Sequence, residues 1–183
     1  GPRHPGPAEV SGPSASHFRE EGRNAFLFFY PAITPLLQHS IPHPTMAVSI
    51  SVDYTGDLRC QATHGPSKNT LITDAPVDNC GKGESFSPTD LVATALASCM
   101  ATVIGIKAQQ KQLDVTGMKV SVEKHMSEDS PRRIVRLPIT IEIPLPADHP
   151  QRKLPEATAL GCPVHHSVHP DIDKPVTFIW KAA

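Results

Sequence analysis

The chain has 183 residues, enough for one domain with a real hydrophobic core. Its net charge of −1 and its aromatic content of 5% give no footing for a nucleic-acid or other polyanionic partner. Four cysteines, Cys60, Cys80, Cys99 and Cys162, are too few and too scattered for a secreted disulfide scaffold, lack the close C-x-x-C pairs of a zinc site, and fit a reducing, cytoplasmic setting.

Residues 1–45 differ in character from the rest. Gly1 to Ser16 is rich in Pro, Gly and Ser, a composition that predicts disorder. Arg19, Glu20, Glu21 and Arg23 then precede the apolar run AFLFFYPAITPLL. Charge ahead of an apolar run suggests a signal peptide, but Pro31 and Pro35 interrupt the run and no A-x-A cleavage site follows. The favoured expectation is a disordered or non-native extension over 1–45, with the domain over 46–183 starting at Met46, where ordered patterning begins.

Val48, Ile50, Val52 and Tyr54 alternate with Ser49, Ser51 and Asp53, which predicts a half-buried strand. Thr55-Gly56-Asp57 is a turn signal, Leu58 to His64 the returning strand, and Thr70 to Thr73 a short third strand. Asp74 to Phe86 has no apolar period and reads as a loop. Ser87 to Lys111 follows as one long helix. Ser87 suits the N-cap, Pro88 the first helical position, and Asp90 the reciprocal acid of a capping box. From Leu91 to Ile106 no residue is charged, so the helix is expected to be buried on all sides. Ala97, Ala101 and Gly105 form a smooth ridge for close approach of another element. The uncharged run falls short of the roughly 20 residues of a membrane span and is bounded by Asp90 and Lys107, so no membrane is expected.

Beyond the helix, Thr116 to His125 alternates, with Met118, Val120 and Val122 on one side. Ser127 to Arg133 is a charged connection, and Ile134 to Ile143 is a further strand ended by Pro144, Pro146 and Pro150. Arg152 to about His166 reads as a second helix with Leu154, Ala157, Leu160 or Gly161, and Val164 as its apolar set. Val176 to Trp180 is a closing strand. The order β-β-β-α-β-β-α-β, with meandering strands and single helices, predicts an α+β fold.

Two cysteines carry a more specific signal. Cys99 sits at the middle of the long helix, in S-P-x-x-L-x-x-x-A-x-x-x-C, and Cys162 lies in GCPVHHSVHP near the end of the second helix. A buried cysteine is ordinarily a small hydrophobe. The two motifs together, over roughly Val48 to Trp180, resemble the OsmC/Ohr family, osmotically inducible protein C and the organic hydroperoxide resistance proteins.

The resemblance implies an OsmC-like fold, an intertwined homodimer with active sites at the subunit interface, and a cofactor-free thiol peroxidase. Cys99 would be the peroxidatic residue and Cys162 the resolving one. The substrate would be an organic hydroperoxide, and the reductant a dithiol, for which lipoyl-type dithiols are compatible. Cys99 lies three turns into its helix, where the dipole has faded, so its ionisation needs a nearby cation or donor. The resemblance implies an arginine from the first hairpin, held by a glutamate at the start of the central helix. Arg59 is the candidate arginine, with a plain surface arginine as the competing reading. The family's peroxidases commonly read N-P-E-x-L, and here Thr89 stands at the glutamate position. Asp90 or Glu84 would then have to hold Arg59, although Asp90 is also claimed by the capping box.

Other residues leave alternatives open. Cys60 and Cys80 have no place in the resemblance; they read as incidental thiols or as a disulfide pair. His165, His166 and His169 follow Cys162 at +3, +4 and +7. On a continuing helix they would share a face with it and could bind Zn²⁺. Alternatively His166 tunes Cys162, or all three simply fill surface or interface. The Thr89 departure also motivates a non-enzymatic reading, in which the same pocket binds a small apolar or thiol-reactive ligand.

Overall fold

The computed structural model describes residues 47–181, and the expectations for residues 1–45 lie outside them. Three antiparallel strands come first, β1 (Ile50–Gly56), β2 (Arg59–His64) and β3 (Thr70–Asp74), in the order β1-β2-β3. The β1–β2 turn differs from the expected one by a residue. Asp57 and Leu58 both take left-handed φ values, 50° and 60°, and Gly56 pairs with Arg59. A two-residue loop with both φ values positive matches the right-handed twist of the strands it joins. Arg59 thereby becomes the first residue of β2.

Alternation correctly marks β1 as a strand, but the strand is not half-buried. Val48, Ile50, Val52 and Tyr54 are 57%, 63%, 62% and 66% exposed. Among the described residues nothing covers this apolar row.

The segment after β3 is not featureless. A 3₁₀ turn, Val77–Asn79, folds it back toward β3. Gly81 is needed there, because a Cβ would meet the Ala75 carbonyl oxygen at 1.7 Å. The N–H of Gly83 donates to Ala75 O (3.2 Å), and the N–H of Asp74 to Phe86 O (3.1 Å), which returns Glu84 to the end of β3.

Helix α1 (Pro88–Gln110) begins at the Ser87 cap. The Asp90 N–H donates to Ser87 Oγ (3.2 Å), and the Ser87 N–H donates to Asp90 Oδ2 (2.8 Å), completing the capping box. The expectation of burial on all sides is corrected. Ala93, Leu96, Met100 and Ile104 face the core, while Thr94, Ser98, Thr102 and Ile106 form an exposed stripe. No charge is needed on that stripe, because each hydroxyl donates to the carbonyl one turn back: Thr94 to Asp90, Ser98 to Thr94 and Thr102 to Ser98. The ridge ends open, since a Cβ on Gly105 would meet nothing within 4 Å. By length and composition α1 could cross a membrane; here its inner face packs into the domain core.

Strand β4 (Lys119–Val122) pairs antiparallel with β7 (Ile139–Ile143), which pairs in parallel with β8 (Val176–Trp180). β5 (His125–Met126) and β6 (Ile134–Arg136) form a separate two-stranded ladder. The single strand expected over 134–143 is therefore two. Leu137-Pro138 breaks it: proline has no N–H to give the ladder, the Leu137 N–H goes to Asp173 O, and Pro138 O accepts from Glu123. Ile139, Ile141 and Ile143 of β7 are 0–1% exposed and pack with Leu96, Met100 and Ile104. Burial of each such side chain is worth about 1.5–3 kcal/mol.

The second helix is also two pieces, α2 (Lys153–Leu160) and α3 (Pro163–Ser167). Pro163 disfavours helical backbone in the residue before it, and Cys162 is extended there (φ −59°, ψ 131°). The buried face is Pro155, Ala159 and Cys162; Ala157 and Leu160, expected inside, are exposed.

Candidate active site

The fold brings Cys99 and Cys162 together. Cys99 is half-buried on α1, and Cys162 is fully buried at the α2–α3 break. Both are free thiols, and Cys99 packs against the core cluster that holds Cys162. Burial pushes the Cys162 thiol up, and the neighbouring Cys99 thiol adds to that shift; the amide N–H groups of His165 and Val164 pull the other way. Cys162 therefore keeps its proton at neutral pH. Thiols this close can form a disulfide with little backbone movement.

The histidines after Cys162 do not form the shared face that a continuing helix would give. Helix α3 ends at Ser167 and Val168 is extended, which takes His169 off the helix. Among the described residues no three His, Cys, Asp or Glu side chains are grouped to hold a metal ion. His166 is exposed. His165 is more enclosed: its Nδ1 is buried without a partner, and burial, then Lys174 and His166, lower its pKa. Cys60 is half-buried on β2 and Cys80 is exposed in the loop, both as free thiols.

Arg59 is held by two acids. Its Nη2 donates to Glu84 Oε2, across a very short contact, and to Asp74 Oδ2 at 3.3 Å. Glu84 was among the expected acids and is 63% exposed; Asp74 was not expected, and its side chain is 0% exposed. Asp74 Oδ2 also accepts from the Glu84 N–H at 2.9 Å. That amide bond is the main reason the Asp74 carboxyl sits below the usual carboxylate range; burial opposes it, and Arg59 adds to it. Arg59 Nε and Asp74 Oδ1 are buried without partners. Neither cysteine is among the hydrogen-bond partners of Arg59.

Asp90 does not hold Arg59. Its Oδ1 accepts from Lys124 Nζ at 2.5 Å, and the same ammonium donates to Thr89 Oγ1 (2.9 Å) and Ser87 Oγ (3.3 Å). Burial works to raise the Asp90 pKa, but Lys124 and the Ser87 amide outweigh it and the carboxyl is held low. The sequence did contain a signal for Lys124. It continues the inward row Met118, Val120, Val122, so a lysine stands on the apolar face of that strand. Asp74 had no such signal, because its pairing with Arg59 depends on the β2–β3 register.

Comparison with known proteins agrees with this architecture. A protein of Psychrobacter arcticus 273-4, provisionally described as osmotic stress induced and of the detoxification response, is 50% identical, with a TM-score of 0.68 over 72% of this chain and 96% of that one. The organic hydroperoxide resistance protein OsmC of Legionella pneumophila is 13% identical, with a TM-score of 0.60 over 74% and 98%. The organic hydroperoxide resistance protein OhrB of Bacillus subtilis is also 13% identical, with a TM-score of 0.51 over 72% and 97%. The latter two show the shared fold. None of the curated proteins matches the chain. The family described as OsmC-like protein matches residues 81–174, which span α1 and both site cysteines. The chain belongs to the OsmC-like family.

Proposed function

We propose that the chain is a cofactor-free, homodimeric thiol peroxidase that reduces organic hydroperoxides to alcohols. The observation that carries this reading is the neighbouring pair of free thiols, Cys99 reachable and Cys162 buried. The Cys99 thiolate attacks the terminal peroxide oxygen: an S–O bond forms, the O–O bond breaks, and the departing alkoxide takes a proton to become the alcohol. Cys162 then attacks the Cys99 sulfenic sulfur, forming the disulfide and releasing water. A dithiol reductant restores both thiols by exchange and is itself oxidised to its disulfide. The apolar surroundings of α1 favour bulky organic peroxides over hydrogen peroxide. Two solved structures of this fold carry names for organic hydroperoxide resistance, which supports the same chemistry here.

The dimer is part of the proposal. The row Val48, Ile50, Val52 and Tyr54 sets four large apolar side chains side by side, each more than half exposed, and a contiguous exposed apolar patch marks an interaction surface. A second copy is the proposed cover, and the hairpin bearing Arg59 would meet a cysteine pair at that interface. Free thiols suit a cytoplasmic setting. Steady-state turnover of cumene hydroperoxide with a dithiol reductant tests the assignment. Loss of turnover in Cys99→Ser is expected, and full turnover in that variant would overturn it.

One observation favours a second reading. Thr89, at the position where the resemblance would put a glutamate, is bonded to Lys124 instead. If Arg59 is not tuned for peroxide, the pocket would bind a small apolar or thiol-reactive ligand without turnover. Saturable binding with both thiols still reduced would decide for it.

A further inference from the structure

We infer that Asp74 is the positioning residue for Arg59, fixing its guanidinium for the site, with Glu84 as an outer and weaker contact. The inference rests on the peroxidase reading for its consequence, but its physical basis is independent. The carboxylate of Asp74 is wholly enclosed, whereas that of Glu84 is largely in water. An exposed ion pair loses most of its strength to solvent and to side-chain entropy, while removing one partner of an enclosed pair leaves a charge that water cannot reach.

Three observations converge on Asp74. Arg59 and Asp74 are direct cross-strand partners, so the pair is built into the β2–β3 register. Asp74 Oδ2 takes the Glu84 N–H as well, so this one carboxylate ties the strand, the arginine and the returning loop together. Both acids bind the same nitrogen, Nη2, and Arg59 Nε remains a buried donor with no acceptor. A guanidinium gripped at Nη2 is fixed in direction, and the accessible part of this side chain, 30% exposed, is what can donate to something else. An oxygen of a hydroperoxide or a thiolate sulfur has the acceptor chemistry for it. Asp74 acts through Arg59 and touches neither in this arrangement; it sets the direction in which the guanidinium points.

The test compares Asp74→Asn, Glu84→Gln, Arg59→Gln and the double variant Arg59→Gln/Asp74→Asn in the full chain. The readouts are kcat and KM for cumene hydroperoxide, and the rate at which phenylglyoxal modifies Arg59, mapped by peptide mass. Asp74→Asn is expected to lower kcat/KM by about tenfold or more, and Glu84→Gln by only about threefold. Asp74→Asn should also speed Arg59 modification by about fivefold, because the side chain is no longer held. Adding Asp74→Asn to Arg59→Gln should cost no further activity, which a general structural role would not predict. If Asp74→Asn fails to fold, Asp74→Glu replaces it, keeping the charge but moving it by one methylene, with the same losses expected. Equal effects of the Asp74 and Glu84 variants, or an additive loss in the double variant, overturn the inference. If the wild-type chain turns over no hydroperoxide, the peroxidase reading fails, while Arg59 modification still decides whether Asp74 positions it.

Discussion

Lys124 Nζ lies 2.5 Å from Asp90 Oδ1 and also reaches Thr89 and Ser87, so one ammonium closes the start of α1. The lysine arrives from the segment between β4 and β5 and is 17% exposed. Replacing it leaves Asp90 with its capping-box bond but no cation. Lys124→Met is expected to destabilise the fold by about 1.5–3 kcal/mol, the range for a hydrogen bond to a charged group. The urea midpoint should fall with the m-value unchanged.

Acid should undo the same contact. The Asp90 carboxyl is held below its ordinary value in the folded chain, with Lys124 the leading favourable cause against burial. A depressed folded pKa means that the unfolded chain binds the proton first. The contribution is complete above the unfolded value of about 4 and is lost as pH falls through the lower folded value. Urea midpoints measured from pH 7 down to pH 3 should therefore drop at the acid end, and Asp90→Asn should be less stable at pH 7 and show a shallower drop.

The exposed face of β1 gives a prediction about assembly. Val52 and Tyr54 are 62% and 66% exposed on the same row. Sedimentation should find a dimer for the wild-type chain and a monomer for Val52→Lys/Tyr54→Lys, since desolvating two ammonium groups is unfavourable in any apolar interface. A wild-type monomer at micromolar concentration would contradict the proposed assembly.

Thiol chemistry should be ordered by burial. Cys80 is exposed, Cys99 half-buried and Cys162 enclosed with its thiol pushed up, first by burial and then by Cys99. Because the folded value is raised, Cys162 stays protonated through neutral pH, and only alkaline solution ionises it. Iodoacetamide at pH 8 should label Cys162 last, at least about tenfold more slowly than Cys80. Unfolding in urea should remove the difference.

The cysteine pair was legible through the family resemblance, since the two motifs are specific together although each alone is weak. The capping box was legible because Ser87, Pro88 and Asp90 interact within one turn. Exposure was not. The row from Val48 to Tyr54 alternates as a half-buried strand does, yet periodicity says only which residues share a face, not whether the same chain covers it. The uncharged α1 likewise read as buried on all sides, whereas its hydroxyls satisfy themselves on backbone carbonyls and leave a stripe open. The breaks at Pro138 and Pro163 fall at prolines, whose missing N–H and constraint on the preceding residue outweigh the apolar pattern that runs through them. Of the two acids at Arg59, Glu84 was named from the sequence and Asp74 was not, because Asp74 meets it through the β2–β3 register.

The central claim is the two-cysteine cycle, and the most direct test is peptide mapping with intact mass after one equivalent of cumene hydroperoxide is added to the reduced protein. The account predicts a rapid loss of two hydrogens, mapped to a Cys99–Cys162 disulfide. Both thiols remaining reduced, or oxidation confined to the exposed Cys80, would contradict it.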